Sequence, residues 1–157
     1  MRSLYLTIAR FCVTAWVGAA VLFVITAVTE VTSDYQSITS DIKNILTTIR
    51  FPPYYMMGFL LVTMGTVSCG LYLKHPHGRS KRMGICMMLL ILALMTMLVD
   101  YVLIYLPLVE MITPPERAKP AQFDSYHNAS KYINAFDIGL CLIAALLLCL
   151  PKRLEKN

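Results

Sequence analysis

Residues 123–150, FDSYHNASKYINAFDIGLCLIAALLLCL, carry the most informative pattern in this sequence. The stretch is largely apolar, but five of its residues repeat at steps of 3, 4, 3 and 4, within an arc of roughly 80° on a helix. They are His127, Ser130, Asn134, Asp137 and Cys141. Because unpaired polar groups in hydrocarbon cost several kcal/mol, this polar seam must face other protein or a water-filled cavity. The stretch therefore predicts a transmembrane helix packed inside a bundle.

The composition of the whole chain is typical of a small membrane protein. Of its 157 residues, 57% are hydrophobic and only 15% are charged, whereas a soluble domain is usually about 25% charged. The net charge is +5, but the basic residues lie mostly beside hydrophobic segments, so membrane topology explains them better than nucleic-acid binding. We expect the lipid bilayer, and other membrane subunits, as partners, and no nucleic acid.

Hydrophobic segments separated by polar loops predict four transmembrane helices in one membrane domain, residues 1–157. The predicted helices cover about 4–30, 54–73, 83–107 and 123–150. The polar segment at about 34–50 has Tyr35, Ile38, Ile42, Ile45 and Ile49 at helical spacing, which indicates an amphipathic helix on the membrane surface. We expect Pro52 and Pro53 to end this helix. The predicted fold class is an all-α, integral membrane, antiparallel four-helix bundle with one interfacial amphipathic helix.

A cleaved signal peptide is the alternative for the first segment, and it would leave three spans. The apolar run 11–28 is longer than the core of a signal peptide, and no clean A-x-A cleavage site follows it. This favours an uncleaved first helix.

Small residues in two of the spans indicate where helices approach closely. The predicted small-residue face of the first span contains Thr14, Ala15, Gly18 and Ala19. That of the second span contains Gly58, Gly65 and Cys69. Tyr54 and Tyr55 lie where an aromatic belt at the membrane interface is expected.

The basic residues predict the orientation of the chain. One side of the membrane would carry nine of them: Arg2, Arg10, Lys74, Arg79, Lys81, Arg82, Lys152, Arg153 and Lys156. The other side would carry five: Lys43, Arg50, Arg117, Lys119 and Lys131. The positive-inside rule then places both termini in the cytoplasm, and we expect the plasma (cell inner) membrane.

Two acidic residues, Asp100 and Asp137, lie inside apolar helices. Asp100 is roughly 9 Å, and Asp137 roughly 8 Å, below the outer end of its predicted helix, given a rise of about 1.5 Å per residue. Because these helices run in opposite directions, both carboxyl groups arrive at a similar depth. We therefore predict a polar site in the outer half of the membrane, formed by Asp100, His127, Ser130, Asn134 and Asp137.

Three interpretations of this site remain open. The acids could hydrogen-bond across the bundle, or to Arg50, and only fix the packing of the helices. They could instead bind a proton or another small cation, since an acid within a membrane is a functional candidate by default. A metal shared by Asp137 and His127 is the third, but these residues lie about 15 Å apart along one helix.

The remaining candidate metal ligands carry weaker signals. His75 and His77 flank Pro76 in a short basic loop, and His127 lies near the opposite membrane surface. They could ligate copper or haem, although one haem cannot take ligands from both sets. The ten methionines and the five cysteines lie mostly in apolar segments, and packing explains them better than Cu(I) binding.

Residues at the two ends of the chain resemble a known family. Arg10, Trp16 and Gly18 in the first helix, with Phe123, His127, Ser130 and Asn134 at the start of the last, carry the resemblance. The family consists of four-helix membrane proteins of unknown function. It includes the human cisplatin-resistance-associated transmembrane protein and is distantly similar to copper-resistance D membrane proteins. The resemblance implies a four-helix bundle, a shared role for His127 and Asn134, and an association with copper, but no established activity.

These observations favour a non-enzymatic function. The sequence contains no nucleophile elbow, phosphate-binding loop or HExxH motif. We expect a small multi-pass membrane protein, either a partner subunit or a protein that handles a small cation or a metal, without a cofactor. The alternative is a membrane redox protein that binds copper or haem.

Overall fold

A computed structural model describes residues 2–33, 39–75, 80–114 and 119–151 of the chain. Its helices are α1 (Arg2–Val31), α2 (Ser40–Leu73), α3 (Lys81–Val99), α4 (Leu106–Met111) and α5 (Phe123–Cys149). A π-helical segment, Asp100–Tyr105, joins α3 to α4, so that 81–111 forms one continuous rod, which we call the third span.

Four of these rods are long and apolar enough to cross a membrane, which makes the chain a small multi-pass membrane protein. The first span packs against α2 and α5, and the third span packs against the same two helices. The spans therefore form a four-helix bundle in which neighbours run in opposite directions, as predicted. We call the end that holds Arg2 and Cys149 proximal, and the end that holds Val31 and Phe123 distal.

Large apolar side chains on the outside of the bundle give every span a surface suited to lipid. Leu22 of α1, Met64 of α2, Leu103 of the third span and Leu146 of α5 are all well exposed. Inside, the bundle is filled by bulky residues such as Trp16, Tyr55 and Leu90. The lipid environment follows from this distribution, because exposed aliphatic surface on all sides is costly in water.

The glycines of α2 allow α1 to approach closely, as the sequence predicts. A Cβ atom at Gly58 would lie 2.7 Å from the Trp16 ring, and one at Gly65 would lie 2.8 Å from Val13. The predicted small-residue face of α1 is wrong, since a Cβ at Gly18 meets nothing within 4 Å and this face is exposed. Large residues of α1 instead pack against small residues of α2.

Two arginines bind the end of α5 at the proximal side. Arg10 Nε donates to the carbonyl of Leu148 at 2.8 Å, and Arg82 Nη1 donates to the carbonyl of Pro151 at 3.1 Å. The last carbonyls of a helix lack partners within it, and a cation at this end also complements the helix dipole. These bonds fix the position of α5 along the bundle axis relative to α1 and α3.

The boundary that we predicted at Pro52 is wrong, because α2 runs through both prolines without a break. Contacts directly before the proline pair hold this part of the helix against α1. Arg50 forms an ion pair with Glu30 of α1, and Phe51 packs on Phe23 with ring centroids 5.1 Å apart. Residues 40–50 are thus an extension of the second span, while 34–38 lie outside the described residues.

The predicted end of the third helix at Pro107 is also wrong, since helical structure continues to Met111. Proline lacks an N–H, and its ring clashes with the carbonyl four residues earlier in a regular α-helix. The wider turn of the π segment, in which the Leu106 N–H bonds to the Tyr101 carbonyl, precedes Pro107 directly. We attribute the continuation of the helix to this wider turn.

Candidate functional site

Asp100 lies at the centre of a polar cluster in the distal half of the bundle. Its side chain is only 1% exposed, and it occupies the first position of the π segment. One carboxyl oxygen, Oδ2, accepts hydrogen bonds from the Tyr55 hydroxyl, from Asn134 Nδ2 at 2.7 Å and from Ser130 Oγ at 3.3 Å. A single oxygen thereby connects α2, the third span and α5.

The side-chain amide of Asn134 links the other residues of this cluster through its hydrogen bonds. Its Nδ2 also contacts the carbonyl and the hydroxyl of Ser130, at 3.0 and 3.2 Å, and its Oδ1 accepts from the Tyr54 hydroxyl at 3.1 Å. Because both ends of the amide have partners, its orientation is fixed by the network. Tyr54 in turn packs against Trp16 of α1, with ring centroids 5.0 Å apart, so that all four spans contribute.

The other carboxyl oxygen of Asp100, Oδ1, is buried and has no hydrogen-bond partner among the described residues. Buried carboxylate oxygens almost always have a partner, because an unsatisfied one carries the full cost of desolvation. The uneven use of the two oxygens, with three donors on one and none on the other, is the most unusual feature of the cluster. It leaves a strong acceptor in the bundle interior.

Asp137 lies one helical turn from Asn134, towards the proximal end. It is 4% exposed, and its Oδ1 accepts a hydrogen bond of 2.8 Å from the Thr96 hydroxyl. Thr96 precedes Asp100 by four residues, and Asp137 follows Asn134 by three, so each pair shares one helix face. The third span and α5 are therefore joined by two polar contacts, Asp100 with Asn134 and Thr96 with Asp137.

Neither buried acid forms an ion pair with a basic side chain of the described residues. Arg50, which the sequence offered as a partner, binds Glu30 instead. Neutral donors alone surround both carboxyl groups. Two ionised carboxylates in such a place would be costly, since a buried charge without a counter-charge loses its hydration and gains little in return.

The structure places the predicted site residues in three different environments. Asp100, Ser130 and Asn134 are in direct contact with each other, and Asp137 lies on the same face of α5 with its own partner. His127 is separate: it is exposed and stacks on Phe123, with ring centroids 5.6 Å apart.

His75 and His127, two of the residues suggested for copper or haem, do not meet. His75 follows the proximal end of α2 and stacks on Tyr5 at 6.2 Å, whereas His127 is at the distal end of α5. His77 lies outside the described residues. Within the described part of the chain, no group of three or more His, Cys, Asp or Glu side chains is arranged to hold a metal ion.

The sequence pattern did not identify three residues of the site. Tyr54 and Tyr55, which we assigned to an interfacial belt, are only 8% and 1% exposed and supply hydroxyl groups to the cluster. Thr96 was also missed. Its position one turn before Asp100 is a signal that could have identified it.

Comparison with known proteins adds no assignment. No protein-family model matches the chain. Neither a curated protein nor a solved structure matches it either. The function must therefore be inferred from the site.

Proposed function

We propose that this protein is a non-enzymatic multi-pass membrane protein that binds a small cation, a proton, at Asp100. The observation that carries the proposal concerns the two carboxyl oxygens of Asp100. The buried Oδ1 has no hydrogen-bond partner among the residues that the structure describes, whereas Oδ2 accepts three donors. A carboxyl group held in this way has a free acceptor on one oxygen for a positive species and is oriented through the other.

The chemistry of the neighbours favours a proton over a metal ion. Tyr55, Ser130 and Asn134 all present hydrogen-bond donors to the carboxyl group, and an amide nitrogen cannot ligate a cation. A metal ion such as Ca²⁺ or Mg²⁺ needs several oxygen lone pairs arranged around it. A proton needs only one oxygen, and the hydroxyls of Tyr55 and Ser130 can rotate to match the change in charge.

The position of the cluster favours exchange with the distal side. Asp100 lies nearer to the distal end of the third span, at Met111, than to its proximal end, at Lys81. The buried positions of α3 between Lys81 and Asp100 are Met83, Cys86, Leu90, Ala93 and Met97. Beyond Thr96 and Asp137, these apolar and thiol side chains of α3 provide no further strong hydrogen-bonding groups towards the proximal end. We therefore propose a site that binds and releases its proton on one side, as a sensor or a partner subunit would.

Stability of the purified protein in detergent tests this proposal, because a ligand that binds only the folded state shifts its stability. The melting temperature of the wild type should change with pH, and Asp100→Asn should remove part of that dependence. Asp124→Asn, at an exposed position in the first turn of α5, is the matched control and should behave as the wild type. The contrary result would be a melting temperature that depends on sodium concentration, with the same pH dependence in the wild type and in Asp100→Asn. It would show that the site binds an alkali metal ion and not a proton.

The orientation forms a second part of the proposal. We propose that both termini lie in the cytoplasm and that the protein resides in the plasma membrane, so that the distal side faces outwards. The nine basic residues predicted on the proximal side, against five on the other, support this. Cysteine-labelling with an impermeant reagent tests it: a cysteine placed at exposed Gln122 should react in intact cells, and one at exposed Ser80 should react only after lysis.

A further inference from the structure

A groove on the lipid-facing side of the bundle lies beside the second buried acid. It runs between the third span and α5 and has a volume of about 310 Å³. It is lined by Met95, Thr96, Val99, Tyr132, Ile133 and Phe136. This volume is at the lower end of the range for small-molecule sites, which is about 300–1,000 Å³.

One residue connects this groove to the buried acid. Thr96 lines the groove, and its hydroxyl donates to Asp137 Oδ1 at 2.8 Å. The carboxyl group of Asp137 thus lies one side chain behind an apolar wall. No basic side chain of the described residues pairs with it, so its negative charge, when present, acts on whatever occupies the groove. In a medium of low dielectric constant this attraction is far stronger than in water.

The opposite wall of the groove is aromatic. Tyr132 and Phe136 are four residues apart on α5, so they lie on the same face, and both are well exposed, Tyr132 to 77%. The face of an aromatic ring attracts a cation, and aromatic walls are the usual means by which proteins bind quaternary ammonium groups. An apolar groove with aromatic walls and an acid behind it complements an organic cation.

We propose that this groove binds a small lipophilic organic cation, such as a substituted ammonium ion, which enters from the bilayer. Its apolar part packs against Met95, Val99 and Ile133, and its positive centre lies between the aromatic rings and Asp137. The inference goes beyond the proposed function, which concerns a proton at Asp100 alone, and it does not depend on it. It adds a class of ligand and a second residue, Asp137, which the binding of a proton at Asp100 does not require.

Binding of radiolabelled benzyltrimethylammonium to the full-length protein in liposomes tests the inference. Neopentylbenzene, which has the same shape but a carbon in place of the charged nitrogen, is the neutral competitor. We expect saturable binding that this competitor displaces poorly, and at least a tenfold loss of affinity in Asp137→Asn. If neopentylbenzene competes as well as the unlabelled cation, or if Asp137→Asn binds as the wild type does, the groove is an ordinary lipid contact and the inference is wrong.

A second pair of variants keeps the test valid if Asp137→Asn does not fold. Val99→Phe fills the groove, whereas Val102→Phe adds the same bulk at an exposed position that does not line it. We expect only Val99→Phe to abolish binding, and equal binding by the two variants would overturn the inference.

The result for Asp100→Asn separates this inference from the proposed function. If the cation binds through Asp137 while Asp100→Asn leaves the pH dependence of stability unchanged, the proposed function fails and the groove site stands.

Discussion

The Nδ2 atom of Asn134 and the Oδ2 atom of Asp100 lie 2.7 Å apart, at the position where the third span changes from α-helix to π-helix. This contact joins the two helices that carry the buried acids. Unusual helical turns occur often at functional sites, because they alter the direction of side chains at the cost of regular hydrogen bonds. Here the altered turn begins at the residue whose carboxyl group receives three donors.

Asn134→Leu should destabilise the protein by about 1–3 kcal/mol, since it leaves the Tyr54 hydroxyl and Asp100 with one buried partner fewer each. Unfolding in detergent by a chemical denaturant measures this change. Asn128→Leu, at an exposed position of the same helix, is the control and should have little effect. Equal effects of the two substitutions would show that the amide of Asn134 contributes nothing.

Asp100→Leu should be less stable than Asp100→Asn by about 2 kcal/mol. Leucine leaves Tyr55, Ser130 and Asn134 without their common acceptor, whereas asparagine keeps an oxygen at the same place. The same unfolding measurement compares the two variants. If the two variants are equally stable, these hydrogen bonds do not form in the detergent-solubilised protein.

Gly58→Ala should destabilise the bundle by about 1–3 kcal/mol, because the added methyl group would lie 2.7 Å from the buried ring of Trp16. Gly18→Ala provides the matched control, since its Cβ meets nothing within 4 Å. Alanine is the better helix former by about 1 kcal/mol, so this control should be slightly stabilised. Melting temperatures that fall by the same amount in both would contradict the packing of α1 on α2.

The purified protein should be colourless, with no Soret band and no stoichiometric copper. The physical reason is that His75 and His127 lie at opposite ends of the bundle. An absorption spectrum and elemental analysis of metals are the measurements. A Soret band, or one copper ion per chain, would instead support the redox alternative and the implied relation to copper-resistance proteins.

The sequence was sufficient to predict the fold class, because a span needs only length and apolar composition to be recognised. The same pattern of polar residues at helical spacing also identified Ser130 and Asn134, which contact Asp100 in the structure. Periodicity within one helix reveals which residues share a face. It contains no information on how that helix is rotated relative to its neighbours.

The missed features follow from this limit. Tyr54 and Tyr55 begin the predicted span 54–73, where interfacial aromatic residues are expected. Since α2 starts at Ser40, they lie well inside the helix, and the rotation of α2 turns them inwards. The two wrong helix ends have a different cause. Pro52 and Pro107 are strong local signals for a helix boundary. Long-range contacts such as the pair of Glu30 with Arg50 outweigh the first, and the wider π turn accommodates the second.

The central claim, that Asp100 binds a proton, is tested most directly by infrared difference spectroscopy during acidification of the protein in liposomes. Protonated carboxyl groups absorb apart from carboxylates, so each buried acid adds its own component to the spectrum. Asp100→Asn should lose one such component, while the matched variant Asp124→Asn should keep all the components that arise from buried groups. Identical carboxyl bands in the wild type and Asp100→Asn would contradict the claim.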